Sequence, residues 1–532
     1  MKYKVCILAA GSGSRINKIT KIHKSLLPIN EKAVISSIIE QFNKSVEIII
    51  AVGDRGEQIR EYVKFSHPYR KIRFVKVKKF SGTGSGPGKS LLACEKYLNS
   101  PFIFTSCDTL VKNKIIVPSY NWIGISKVKK PEEFLIVCKS DKGSFKLVDK
   151  KKKLFFQNKL GYYQKNFNAF IGLAGIKDYK IFWKSLKQNN NLIKKEYQVS
   201  NGLEGLLQKN LKIEKFEWLD TGNPVNYLNS KKKLEQNLNL IKEGQFFYKE
   251  NNLIIKYFDD KNLIKNLIKR SSFIKNSPII KKNCSNFLVY EFQKGKLLSE
   301  IKSNTVFKNF LKFMELNFWK HKNIFQDEKK RLNHYCKFFY ELKTKARVKK
   351  YLKRFNVKDS EHVINGVRVP KLNKLFSLVE WSYLNKAVPV VFHGDLQPEN
   401  ILYNNRKFYL IDWRDKFFKN TVIGDIYYEF AKLHHALILT NKVIRDNNYY
   451  VKEISKKNIK YNFKKRNNLI NYKLKFEKFI LNKNYSLKKV ELLSALIYLN
   501  IAPLHHYPYS KLLFFHGKLA LYKILLKYKI IK

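Results

Sequence analysis

A chain of 532 residues, 44% of them hydrophobic, has ample apolar content for packed globular domains and enough length for two or three cores rather than one. Its 105 Lys plus Arg against 42 Asp plus Glu leave a net charge of +63, a balance that suits polyanions such as nucleic acid or an anionic membrane. The excess runs along the whole chain with abundant Asn, Ile, Tyr and Phe, as a general bias of residue usage produces, so no specific nucleic-acid partner is expected from it.

The opening MKYKVCILAAGSGSR has a short apolar run that flows into a glycine turn and not into a small-residue cleavage site. No apolar stretch approaches the roughly 18 residues of a membrane span. The cysteines Cys6, Cys94, Cys107, Cys138, Cys284 and Cys336 lie far apart, with no C-x-x-C pair and no metal-ligand spacing, as buried thiols of a reducing compartment do. A cytoplasmic location is expected.

Residues 1–125 alternate β-rich runs (KVCILAA, VEIIIAVG, KIRFVKV, PFIFTSCD) with helix-like segments (AVISSIIEQFNKS, KSLLACEKYLNS). That pattern predicts an α/β domain, a parallel sheet covered by helices, with ligands at the carboxyl ends of the strands. Gly11 and Asp108 fall at such ends. Gly11 and Gly13 let the backbone turn tightly, so that amide N–H groups can face a triphosphate, and Arg15 adds a planar fork of donors for phosphate oxygens. A glycine loop alone is a weak signal. Its company is stronger: Arg15, then Lys24 in HKSLLPI, Asp108 in TSCDTL and Asp220 in WLDTGNP.

These phrases resemble the sugar-phosphate and phosphocholine nucleotidyltransferase superfamily, over about residues 1–230, through NAFIGLAGIKDY to WLDTGNPVNYL. The resemblance implies a Rossmann-like nucleotidyltransferase domain in which Asp108 and Asp220 bind Mg2+ while Arg15 and Lys24 neutralise phosphates. His23 departs from it, standing where the family has proline. The stretch GTGSGPGKS at 82–90 invites a P-loop reading, but the motif needs a glycine with four residues between it and GK, and that position holds Thr83. In the resemblance this stretch matches a loop against the nucleotide base, with Gly86 as its glycine.

From about Lys231 to Gly244 the composition turns to Lys, Asn and Glu, and a new β pattern starts at FFYKENNLIIKYF. Domains of 1–230 and 245–532 joined by a 231–244 linker are expected. After Ile301 the pattern is mostly helical, broken by VPVVFHGD, by KFYLIDW and by a Lys/Asn-rich stretch near 441–486. HGDLQPEN and the following IDW place Asp395, Asn400 and Asp412 at catalytic-loop spacing, where the first Asp takes a hydroxyl proton and the other two hold magnesium against the phosphates of ATP. The segment resembles the aminoglycoside phosphotransferase and choline kinase family over about 245–532, which implies an α+β protein-kinase-like domain. His393 is expected to buttress the loop, and Asp425 to cap a helix or brace a loop.

In the same resemblance Lys256 in NNLIIKYF takes the place of the ATP-phosphate lysine, and LVYEFQKGKLLS, around Glu291, that of the hinge beside adenine. No Asp or Glu occurs from Lys261 through Tyr290, so the usual partner glutamate of that lysine is missing. Either another residue anchors Lys256 or the match is out of register.

Together the two resemblances imply a kinase of a small-molecule acceptor, choline or a sugar, followed by nucleotidyl transfer from CTP or another nucleoside triphosphate. The product would decorate a surface polysaccharide or lipid. Two rival readings stand beside it: a basic nucleic-acid-binding protein, and a nucleotidyltransferase with a degenerate kinase-like scaffold.

Overall fold

Strands Lys4–Ala9 (KVCILA) and Glu47–Val52 (EIIIAV) are apolar at nearly every position, as strands buried on both faces must be. The computed structural model, which describes residues 2–13, 20–139, 145–148, 167–234, 244–283 and 286–531, puts both inside one large sheet, each with a strand on either side. Lys4–Ala9 pairs in parallel with Glu47–Val52 on one side and with Phe102–Ser106 on the other. Ile72–Lys76 extends the parallel set, and Phe167–Ile176 runs antiparallel beyond Phe102–Ser106.

Residues alternate between two cores. Val5, Ile7 and Ala9 pack with Ile38 of helix Val34–Glu40 and with Ile59 and Tyr62 of helix Gly56–Ser66. Cys6, Leu8 and Ala10 pack on the other face with Leu91 of helix Pro87–Leu92 and Phe182 of helix Tyr179–Gln188. Because the chain leaves Lys4–Ala9 in both directions across the sheet, the topological switch point, where open α/β sheets bind ligands, lies at its carboxyl end. This is the α/β architecture expected of the first domain.

The chain divides into two compact units: Met1–Gln236 with Glu243–Asp259 and Asn283–Val289, and Asn237–Lys242 with Asp260–Lys282 and Tyr290–Lys532. Packing therefore does not follow the seam at 231–244. The hairpin Gln245–Glu250 and Leu253–Phe258, turned by Asn251 and Asn252 at φ 46° and 63°, belongs to the first unit. Asparagine tolerates these left-handed angles, which a tight hairpin turn requires. The cause of the attachment is apolar. Tyr248, Ile255, Tyr257, Phe287 and Val289 join the core that holds Tyr62, with the Tyr62 and Tyr248 rings 4.7 Å apart. Polar contacts fix the register: Tyr248 Oη donates to the Leu26 carbonyl at 2.6 Å, and the Lys249 N–H to that of Glu31 at 2.8 Å.

The second unit is α+β. Long helices, among them Asn304–Asn317, Ile426–Ile438, Asn467–Asn482, Leu487–Ile501 and Tyr509–Lys527, surround short strand pairs. Two pairs matter for the chemistry: Pro389–Val391 with Ile423–Asp425, and Ile401–Asn404 with Lys407–Leu410. Between 441 and 486, the Lys/Asn-rich stretch forms an antiparallel hairpin, Tyr449–Ser455 with Asn458–Phe463, and then helix Asn467–Asn482. Among the described residues no helix is long and apolar enough to cross a membrane.

Candidate active sites

In the first unit the residues expected to act together line one cavity of about 690 Å³: Gly11, Gly13, Lys24, Gly86, Asp108 and Asp220. Asp108 follows strand Phe102–Ser106, adjacent to the strand that ends at Ala9. Asp220 is brought to it by a short antiparallel pair, Trp218–Asp220 with Thr109–Val111, in which Asp220 opposes Thr109. Thr221 ties the two ends together, donating its N–H and its hydroxyl to the Asp108 carbonyl at 3.1 and 3.0 Å.

Lys24 Nζ meets Asp108 Oδ2 at 2.5 Å, with the two side chains 20% and 18% exposed. Asp220 accepts from the Gly222 N–H at 2.8 Å and from the Asn226 amide. Burial lifts the Asp220 carboxyl above its ordinary range, opposed by those two hydrogen bonds and reinforced by the charge of Asp108. Two acidic groups and a lysine line one cavity beside a glycine turn, a set of oxygen and ammonium groups whose chemistry is compatible with a hard cation and phosphate oxygens.

His23 is buried and pushed down to about 3, first by burial and then by the neighbouring Lys24. Its Nδ1 faces the Ser25 N–H at 3.2 Å, which leaves the proton on Nε2, 3.4 Å from the Gly11 carbonyl. The departure from proline thus becomes a link between the lysine loop and the glycine turn. Gly86 has φ 129°, and a Cβ there would stand 2.6 Å from the Tyr197 carbonyl, so this position requires glycine for packing as well. Arg15 lies outside the described residues.

In the second unit the loop after Pro389–Val391 is held from three directions. Glu429 accepts the N–H groups of His393 and Gly394 at 2.9 and 2.7 Å. Buried Arg270 donates to the carbonyls of Phe392 and Thr421. Arg414 Nε donates to the Gly394 carbonyl at 3.1 Å, so this arginine braces the loop. His393 is fully buried and pushed down to about 4 by burial. Its Nδ1 accepts from the Asp395 N–H at 3.3 Å and its Nε2 donates to the Ile411 carbonyl at 3.0 Å, the buttress expected of it.

Asp395 Oδ1 meets Lys432 Nζ at 2.6 Å and the Gln397 amide at 3.0 Å. Asn400 Nδ2 donates to the Asp395 carbonyl at 2.8 Å, and the Asn400 carbonyl accepts from the Ile411 N–H at 3.0 Å. Asp412, one residue on, sits at φ 60°, a left-handed angle that is strained for a residue with a Cβ and typical of functional positions. The loop and the IDW segment therefore bring Asp395, Asn400 and Asp412 together.

Asp425 bonds Tyr340 Oη at 2.6 Å and the Val388 N–H at 2.8 Å, which makes it a brace; its side chain does not cap helix Ile426–Ile438. Glu291, expected near the hinge, pairs with Lys281 at 2.6 Å. Lys256 is half-buried on Leu253–Phe258 of the first unit. Sequence reasoning missed Glu429 and Lys432. Their signal was present: a helix buried on every side, IYYEFAKLHHALI, carries an acid and a base three residues apart, and buried charges require partners.

The model of the MobA-like NTP transferase domain matches residues 5–118, and that of the phosphotransferase enzyme family matches residues 331–448. Among curated proteins none matches the chain. Solved structures similar to it include a UDP-glucose pyrophosphorylase at 17% identity and TM-score 0.35, covering 44% of this chain and 98% of that one. The CTP:phosphocholine cytidylyltransferase of Streptococcus pneumoniae matches at 16% identity and TM-score 0.35, over 44% and 100%. The inositol-1-phosphate CTP transferase of T. maritima matches at 15% and 0.32, over 44% and 97%. The chain is a bifunctional enzyme that joins a MobA-like NTP transferase domain, for nucleotidyl transfer, to a phosphotransferase domain of the kinase type.

Proposed function

We propose that the two sites carry out successive phosphorus transfers. The second site moves the γ-phosphoryl of ATP to the hydroxyl of a small metabolite, choline or a sugar. Asp395 takes the hydroxyl proton. The first site consumes the resulting phosphate monoester, one of whose oxygens attacks the α-phosphorus of a nucleoside triphosphate, CTP by preference, and expels pyrophosphate. Arg15 and Lys24 take up phosphate charge there, and the backbone at Gly11, Gly13 and Gly86 lies against the nucleotide.

The donor sets suit Mg2+, which takes oxygen ligands: Asp108 and Asp220 in the first site, Asn400 and Asp412 in the second. Bound there, the ion would screen the phosphate charges that each reaction gathers. The product is a nucleotide-linked building block for a surface polysaccharide or lipid, made in the cytoplasm. In sequence, 1–230 carries the residues of the first reaction and 245–532 those of the second, with 231–244 as the linker, although residues 245–258 pack with the first unit.

The observation that supports this reading is one cluster of acidic side chains within each compact unit: Lys24 on Asp108 beside Asp220, and Asp395 bonded to Asn400, whose carbonyl accepts from Ile411, the neighbour of Asp412. The test uses the full chain with ATP, CTP, UTP and GTP against choline, amino alcohols and hexoses, with product masses as the readout. Asp395→Asn is expected to leave only a slow residual phosphorylation and spare pyrophosphate release from a pre-phosphorylated acceptor, and Asp108→Asn to do the reverse. Loss of both activities in both folded variants overturns the two-site reading.

A further inference from the structure

Helix Ile426–Ile438 is buried along its length from Ile426 to Leu437, yet it carries two charged side chains on one face, Glu429 and Lys432, one turn apart. Glu429 receives the backbone N–H groups of the two residues before Asp395. Lys432 receives the Asp395 side chain itself, at 2.6 Å, with only 7% of the lysine side chain and 17% of the aspartate exposed. Helix and loop are thus coupled twice, once through backbone and once through charge.

We infer that Lys432 is a positioning residue for phosphoryl transfer, which fixes Asp395 by Oδ1 and directs the carboxylate toward the acceptor hydroxyl through Oδ2. The inference rests on the phosphotransfer reading of the second site. The reasons are geometric and energetic. A carboxylate that turns freely spends little time aligned with a hydroxyl, and alignment is worth orders of magnitude in rate. The Gln397 amide, on the same oxygen at 3.0 Å, completes a two-point grip on Oδ1. Asn400 Nδ2 stands 3.4 Å from Oδ2, on the side of the residue assigned to the metal.

An ammonium and a carboxylate this deeply buried are each costly without the other, so removing either one alone leaves the other without this partner. In the step itself the acceptor O–H bond breaks and its proton goes to Asp395 Oδ2. The acceptor oxygen forms a bond to the γ-phosphorus, and the bond from that phosphorus to the bridging oxygen breaks, releasing ADP. Lys432 remains bonded to Oδ1 throughout.

The inference is tested by a double-mutant cycle in the full chain. Lys432→Met is expected to lower kcat of phosphorylation about 100-fold, with KM for ATP within about twofold of the parent. Lys432→Arg, which keeps the charge, is expected to recover much of kcat. In the Asp395→Asn background, Lys432→Met is expected to cost less than about threefold more, because its partner carboxylate is gone. Pyrophosphate release at the first site and the melting temperature report whether each variant is folded. A loss that appears in KM for ATP, that Arg does not relieve, or that persists undiminished in the Asp395→Asn background overturns the inference. Full phosphorylation by Asp395→Asn alone would instead defeat the reading of the site on which it rests.

Discussion

Gly394 and Arg414 pass so closely that a Cβ on Gly394 would lie 2.5 Å from the Cβ of Arg414. Gly394 also has φ 87°, a conformation that side chains rarely adopt. The glycine of HGD is therefore required where the loop crosses the segment after IDW. Gly394→Ala is expected to cost about 1–3 kcal/mol in backbone strain, before any contact, and to push Asp395 away from Asn400. Phosphorylation should fall at least tenfold while pyrophosphate release at the first site is unchanged; assays of both activities on the same preparation check this.

A corresponding crossing exists in the first site. A Cβ on Gly222 would stand 2.8 Å from Asp108 Oδ2 and 3.1 Å from Asp220 Oδ1, between the two carboxyl groups. Gly222→Ala should force them apart with little effect on the rest of the fold. Displacements of about 1 Å at reacting groups cost on the order of 100-fold in rate, and that loss is expected in nucleotidyl transfer. Titrating Mg2+ in the variant and the parent, with pyrophosphate release as the readout, distinguishes a weakened ion site from a general loss.

Tyr248, fully buried, is the central attachment of the hairpin to the first unit. Tyr248→Ala removes its ring from Tyr62 and its hydroxyl from the Leu26 carbonyl, two residues after Lys24. A loss of about 3–5 kcal/mol is expected, as for other large aromatic residues cut to alanine in a core. A fragment ending at Leu234 should lose first-site activity at a lower temperature than the full chain. Denaturant melts followed by first-site activity measure both effects.

Six buried or half-buried histidines are held neutral in the fold. His23 and His435 are pushed down to about 3, and His67, His362, His393 and His516 to about 4, each chiefly by burial. Unfolding exposes them to protonation near their ordinary 6.5, so the unfolded chain binds more protons and stability falls as the pH drops below that value. Glu399 and Glu429, raised to about 7 by burial, act in the opposite sense, as do Asp220, Glu250 and Asp425, also raised by burial, because the folded chain takes up their protons first. Histidines outnumber them, so the melting temperature should fall between pH 6.5 and 4.5. A melting temperature that holds level or rises over this range would contradict the assignment.

The acidic residues of both sites were legible because each stands where short-range rules act. Asp108 ends a strand, Asp220 sits in WLDTGNP, and Asp395 and Asn400 share one loop. Lys24 was legible from its phrase, but its contact with Asp108 was not, because the two come from segments far apart in the chain. Lys432 and Glu429 were not, because their meaning depends on which loop a buried helix touches. The hairpin at 245–258 read correctly as strands, but its partner was invisible: Tyr248 and Tyr257 announce an apolar face and not the core that receives it. In the Lys/Asn-rich stretch, strand Asn458–Phe463 hid behind its exposed lysine and asparagines, and only Ile459, Tyr461 and Phe463 point inward.

The first unit is closed by residues that come late in the chain, Glu243–Asp259 and Asn283–Val289. During synthesis the ribosome must therefore deliver the start of the second catalytic half before the first half can finish folding. Until Tyr248 and Phe287 emerge, the surface of helix Gly56–Ser66 that receives them stays open to solvent, where a nascent chain is exposed to chaperones and to aggregation. The order of translation thus couples the birth of the two enzymes, and a gene split at the linker would deprive the upstream product of its last staves.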